Sequence, residues 1–176
     1  MTALAKFFEL NTLYIQQVTL TTDGACVGNP GPGGWAYILR CGPGSREGSG
    51  GVRPTTNNRM ELQAAIAGFS VLKFPCEDLL ISDSTYLLRG LNEWRFAWCE
   101  IGWARRTGGQ SFQIPNADLW EKLDEFAQVY TVSVGWVKSY SGHPDNERCN
   151  DLAHAEAEKY VDLPTDERWP TLSSGR

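Results

Sequence analysis

The chain changes its hydrophobic periodicity part-way along, and that change limits the folds open to it. Residues 15–22, 35–41 and 51–56 are strand-like runs, separated only by glycine-rich segments at 28–34 (GNPGPGG) and 42–49. Short runs of this kind joined by tight turns read as three strands of an antiparallel meander. From residue 58 the repeat lengthens. Leu62, Ala65, Ile66, Phe69 and Leu72 recur every three or four positions, the stripe of an amphipathic helix over 58–74 that Pro75 stops. A continuous apolar strand over 78–82 follows and suits a central position buried on both faces. Two short helices over 84–90 and 92–98, broken at Gly90, lead into a loop over 102–115. Asn116 is a candidate cap for a helix over 118–129; a fifth strand over 131–137 and a last helix over 146–160 complete the chain. Strands first, then strands alternating with helices, predict an α/β fold. Its five-stranded mixed sheet joins an antiparallel meander to parallel strands and is flanked by helices.

The length, 176 residues, suits one domain. We expect it over residues 15–162, between an N-terminal extension (1–14) and an irregular C-terminal tail (163–176). Hydrophobic residues at 41% against 21% charged allow a packed core. No apolar run approaches the ~18 residues that span a bilayer, and residues 1–13 lack the basic start and long hydrophobic middle of a secretory signal. Five cysteines, at 26, 41, 76, 99 and 149, are an odd number in no zinc-binding pattern. The expectation is a cytoplasmic monomer with reduced thiols and no membrane attachment. Net charge is −5, of which residues 140–176 carry 4 basic and 8 acidic side chains. No strong basic patch is present, which argues against tight non-specific binding to nucleic acid.

Three acids fall at pointed places. Asp23 ends the first strand, Asp83 ends the fourth, and Glu61 lies in the first turn of the long helix, on the flank of its apolar face. In open α/β sheets ligands gather at strand ends. If strands one and four are neighbours, the acids converge, and hard oxygen ligands of this kind suit magnesium or manganese. Spacing alone leaves a second reading open, since acids are common at such positions without any ligand.

The local strings decide between these readings. Residues 23–34 (DGACVGNPGPGG), 55–62 (TTNNRMEL), Asp83-Ser84-x-Tyr86, and 142–149 (GHPDNERC) followed by Leu152-Ala153 resemble, in order and spacing, the four motifs of type 1 ribonuclease H, most like its bacterial branch. The resemblance covers about residues 15–160. It implies a ribonuclease H-like five-stranded sheet and an endoribonuclease that hydrolyses the RNA strand of RNA–DNA hybrids. Two Mg2+ ions, with Mn2+ as a possible substitute, would be held by Asp23, Glu61, Asp83 and the residue at position 150. It also implies that Gly24, Cys26, Asn29, Asn57 and Asn58 line the hybrid's shallow minor groove. Thr56 and Asn116 would hold a phosphate of the DNA strand, and Trp94 would pack on sugars. Turn and cap chemistry alone would also account for Asn29 and Asn116.

The chain departs from the family pattern at three places. Asn150 stands where the family has Asp, three residues before Ala153. Neighbouring Asp151 is no replacement: at about 100° per residue it points away from the inner face defined by Cys149, Leu152, Ala153, Glu156 and Tyr160. Asn150 is therefore the expected active-site residue, keeping a carbonyl oxygen but losing a charge, so a second metal should bind more weakly. Tyr140 stands where the family places a mobile histidine, and a phenol is a poor proton shuttle at neutral pH. It can still hydrogen-bond a phosphate. Finally, the substrate-gripping region 84–110 carries four arginines against Glu93 and Glu100, a net of only +2, which predicts fewer phosphate contacts. The expectation is an active enzyme with an attenuated second-metal site. The alternative is a weak or inactive hybrid-binding or interaction module on the same fold.

Overall fold

The structure is a computed structural model that describes residues 16–74 and 76–162. The extension 1–14, Ile15, Pro75 and the tail 163–176 lie outside the described residues. Five strands form one sheet: β1 (Gln17–Cys26), β2 (Gly31–Cys41), β3 (Gly44–Thr55), β4 (Glu77–Ser82) and, near the C-terminus, a strand over Thr131–Trp136. A two-stranded hairpin, β5 (Ala104–Thr107) and β6 (Gln110–Gln113), precedes that last strand, which is therefore β7. The order across the sheet is β3-β2-β1-β4-β7, with antiparallel β1–β2 and β2–β3 pairs and parallel β1–β4 and β4–β7 pairs. The mixed sheet expected from the order of periodicities is the sheet observed.

One face of the sheet carries α1 (Asn57–Ser70) and α4 (Ala117–Val129) over a core of Leu20, Tyr37, Leu62, Phe69, Leu80 and Trp120. The other carries α5 (Pro144–Glu158), whose Cys149 and Ala153 pack on Ala25, Ala36 and Ile38. Small residues let α5 lie close. A Cβ on Gly34 would fall 2.0 Å from the Ala153 carbonyl oxygen, so this glycine belongs to a strand under a helix. Arg40–Asp145 and Arg148–Glu47 ion pairs and a Ser49–Glu156 hydrogen bond of 2.7 Å fasten α5 to the meander.

Several local expectations change. The second and third strands begin earlier than composition suggested, because their glycines pair in register instead of turning. β4 is not buried on both faces: Leu79 is 40% exposed, since α5 sits over β1, β2 and β3. Gly90 does not break a helix. The segment runs from α2 (Thr85–Arg89) through a π-helical turn (Gly90–Trp94) into α3 (Arg95–Glu100). Gly90 is required for packing, because a Cβ there would lie 1.9 Å from the Trp120 ring. The expected loop at 102–115 holds the β5–β6 hairpin, turned by Gly108 and Gly109 at positive φ. Asn116 does not cap α4 through its side chain. Its backbone is left-handed (φ 61°), and its amide donates to the Tyr86 hydroxyl at 3.1 Å. Among the described residues no helix is long and apolar enough to cross a membrane.

Candidate active site

Sheet topology brings the acids together. β1 pairs with β4 only as far as Thr21 opposite Ile81, then continues along β2 alone to Cys26. Asp23 therefore lies inside β1, not at its end, just past the point where the parallel pair stops. Asp83 follows the last residue of β4. Glu61 projects from α1, which connects β3 to β4 and crosses beside β1. The crossing is tight at Gly24, where a Cβ would fall 2.3 Å from the Glu61 amide nitrogen. Gly24, which the resemblance places along the substrate groove, is buried beneath the start of α1.

One carboxylate oxygen from each of Asp23, Glu61 and Asp83 lies within 4.8 Å of the others. Asp23 and Glu61 are buried, at 3% and 5% exposure. Burial pushes the Asp23 carboxyl up to about 6, helped by the charge of Asp83; the Asn150 carboxamide and Gly24 amide offset part of this. Burial likewise holds Glu61 well above the usual carboxylate range, with Asp23 and Asp83 adding to it. Asn57 opposes the shift, its amide lying 3.4 Å from the Glu61 carboxylate. Asp23 Oδ2 and Glu61 Oε2 have no hydrogen-bond partner, and none of the three acids joins an ion pair among the described residues. Clustered carboxylates in a low-dielectric setting resist ionising together unless a cation joins them. An all-oxygen donor set with unpartnered buried atoms fits a hard divalent ion.

The remaining expected residues form smaller groups. The Asn29 carboxamide oxygen accepts from the Asn57 amide at 3.2 Å, tying the turn after β1 to the start of α1. The Cys26 thiol sits 3.6 Å from the Thr55 carbonyl, and burial raises it above the usual thiol range. Asn58 is exposed in the first turn of α1. Thr56 caps that helix, accepting from the Arg59 amide. The Arg59 guanidinium reaches Asn116 at 3.4 Å and binds both oxygens of Asp118. Trp94 contacts Tyr86 and Trp98, with the Arg89 guanidinium 5.0 Å from its ring centre. Trp98 packs against the main core, whereas Trp94 stands outside it.

Asn150 is half-buried and Asp151 exposed, as the helical phasing required. Asn150 Oδ1 accepts from the Tyr140 hydroxyl at 2.8 Å. His143 caps α5, its Nδ1 accepting from the Asn146 amide at 3.3 Å. Ser139 was not anticipated: its hydroxyl donates to Asp83 Oδ2. A lone serine in a polar loop gives no sequence signal, because its proximity to Asp83 arises from the β4–β7 pairing.

The family description "RNase H" matches residues 15–158. The chain is 46% identical to a ribonuclease H of Rhodopirellula baltica over 146 residues, covering 82% of this chain and 92% of that protein. It is 50% identical to one of Methylococcus capsulatus over 133 residues, covering 76% and 84%. Among solved structures it is similar to LC9-RNase H1, described as a type 1 RNase H with the type 2 active-site motif. That match has a TM-score of 0.73 at 28% identity and covers 83% of this chain and 74% of the other. The fold also matches LC11-RNase H1, solved in complex with an RNA/DNA hybrid, at a TM-score of 0.61 and 19% identity over 82% and 99% of the two chains. On sequence, fold and the placement of its acids, the chain belongs to the ribonuclease H family.

Proposed function

We propose that this endoribonuclease hydrolyses the RNA strand of RNA–DNA hybrids at the Asp23–Glu61–Asp83 cluster, using divalent metal. The observation that carries the reading is the convergence of three carboxylates within 4.8 Å, two of them buried with an unpartnered oxygen. Mg2+ is the preferred ion, and Mn2+ an expected substitute. Bound there, such ions supply Lewis acidity and an activated water for phosphodiester hydrolysis. The residues themselves hold and orient. Asn57 steadies Glu61, and Ser139 steadies Asp83. With Asn150 in place of a fourth acid, the second ion binds weakly, so activity rises with metal concentration beyond the range that saturates a four-acid site.

Cys26, Asn29, Asn57 and Asn58 contact the minor groove of the hybrid, and Thr56, Arg59 and Asn116 meet a phosphate of the DNA strand. Trp94 packs on sugars. All three acids come from one chain, which supports action as a monomer. Five free cysteines suit a reducing, cytoplasmic setting. The test is cleavage of a labelled hybrid, beside duplex DNA and duplex RNA, across Mg2+ and Mn2+ concentrations. RNA-strand cleavage confined to the hybrid and abolished by Asp83→Asn is expected. No cleavage under any metal condition would leave a hybrid-binding module.

A further inference from the structure

Six of the seven tryptophans lie among the described residues, and of these Trp136 alone is exposed, at 59%. Trp120 is fully buried, Trp94 is half-buried, and Trp35, Trp98 and Trp103 pack against the main core. An indole left in water forgoes the burial that its large apolar surface offers. Its ring is nevertheless held in place. Trp136 is the last residue of β7, paired with Ser82 where the β4–β7 ladder ends, and the next amide, Val137, donates to the Ser82 carbonyl at 3.2 Å. The indole N–H donates to the Asp83 carbonyl, also at 3.2 Å. That bond satisfies the one polar atom of the ring, and what remains exposed is apolar. Two positions on, Lys138 is exposed and joins no ion pair among the described residues.

Asp83 is one corner of the carboxylate cluster, so a ring bonded to its carbonyl stands next to any phosphate held there. Inside a duplex each base is covered on both faces by its neighbours and has no face to give an indole. A base without a pairing partner can splay out and stack on an aromatic side chain. We propose that Trp136 is a stacking platform for an unpaired nucleobase of the RNA strand, where that strand leaves the hybrid beside the cut site. The platform is indifferent to base identity, because every base presents a π-face. Lys138 adds positive charge for the phosphates of the same stretch. The substrate class that this site favours is a hybrid continued by a single-stranded RNA tail. The inference rests on the reading above that the strand held at the cluster is RNA.

The experiment is fluorescence anisotropy of labelled hybrids with the full-length protein, without added metal so that nothing is cut. The probes are a blunt hybrid and the same hybrid with a short unpaired RNA tail at one or the other end of its RNA strand. The proteins are wild type, Trp136→Ala and Trp136→Phe. Wild type should bind one of the tailed hybrids about tenfold more tightly than the blunt one, the scale of one stacked base. Trp136→Ala should bind tailed and blunt hybrids alike, with the blunt affinity of wild type, and Trp136→Phe, which keeps a ring, should retain part of the gain. Circular dichroism checks the fold of each variant. Trp136→Leu, apolar but without a π-face, replaces the alanine variant if that one does not fold. A tail that adds nothing in wild type overturns the proposal, as does a gain that survives loss of the ring. Failure of the underlying reading has its own signature: with Mg2+ or Mn2+ present, wild type leaves the blunt hybrid uncut or cuts its DNA strand.

Discussion

Asp78 is a carboxylate placed where the sheet gives it nothing to bind. It is 2% exposed, on β4 between Val18 of β1 and Val132 of β7, and neither of its oxygens has a hydrogen-bond partner. Burial pushes its carboxyl up to about 7, and the Leu20 amide nearby offsets part of this without closing a well-formed bond. Burial, and then the Asp78 charge, also raise the thiol of Cys76, just before the strand, to about 11. In the unfolded chain the Asp78 carboxyl returns to about 4. Between those values the folded protein holds a proton that the unfolded chain has lost, so stability falls as pH rises from about 4 to about 7 and then levels off. The linkage gives a cost of about 2 kcal/mol at pH 5 and about 4 kcal/mol at pH 8. Asp78→Asn removes this dependence. Urea unfolding of both proteins at pH 5 and pH 8, in metal-free buffer, isolates the effect, because the other shifted acids titrate in both. Wild type should lose about 2–3 kcal/mol more than the variant across that interval. Parallel losses would refute the reasoning and mean that Asp78 reaches water or a partner.

Three further outcomes follow from the geometry. Gly90→Ala forces a Cβ into the Trp120 ring and should cost about 3 kcal/mol or more in chemical unfolding. Arg95→Met leaves Asp124, 7% exposed and bound by Arg95 at 2.6 Å, without its cation; a loss of about 3–5 kcal/mol is expected, and Asp124→Asn in the same background should recover part of it. Mg2+ at about 100 times its dissociation constant should stabilise the fold by about 3 kcal/mol in a thermal melt, an effect that Asp83→Asn removes.

Most of the architecture was legible because it rests on periodicity. The helix of Leu62, Ile66 and Phe69 and the β1–β2–β3 meander follow from patterns that local reading detects, whereas the β1–β4 pairing stood only as a condition. The acids at 23, 61 and 83 were legible for another reason: they sit in strings that resemble a known family. The misreadings share a cause. Gly33, Gly34 and Gly90 look like turn residues, yet each is small because another element presses on it, and that pressure comes from residues far away in sequence. Asn116 resembles a cap but follows the hydrogen bonds that Tyr86 and Arg59 offer. Ser139 and the Tyr140–Asn150 contact needed the loop's path, which depends on where β7 ends beside β4.

The parting of β1 from β4 beyond Thr21 makes strand alignment a condition of catalysis. A strand advances about 3.3 Å per residue and reverses its side chains at each step. Slippage of β4 by a single residue against β1 would carry Asp83 away from Asp23 by most of the cluster's width. A chain with a misaligned sheet would therefore have its secondary structure but no nuclease. Cleavage of a hybrid thus reports on alignment at the centre of the sheet, and recovery of activity during refolding marks the moment that β4 settles into place.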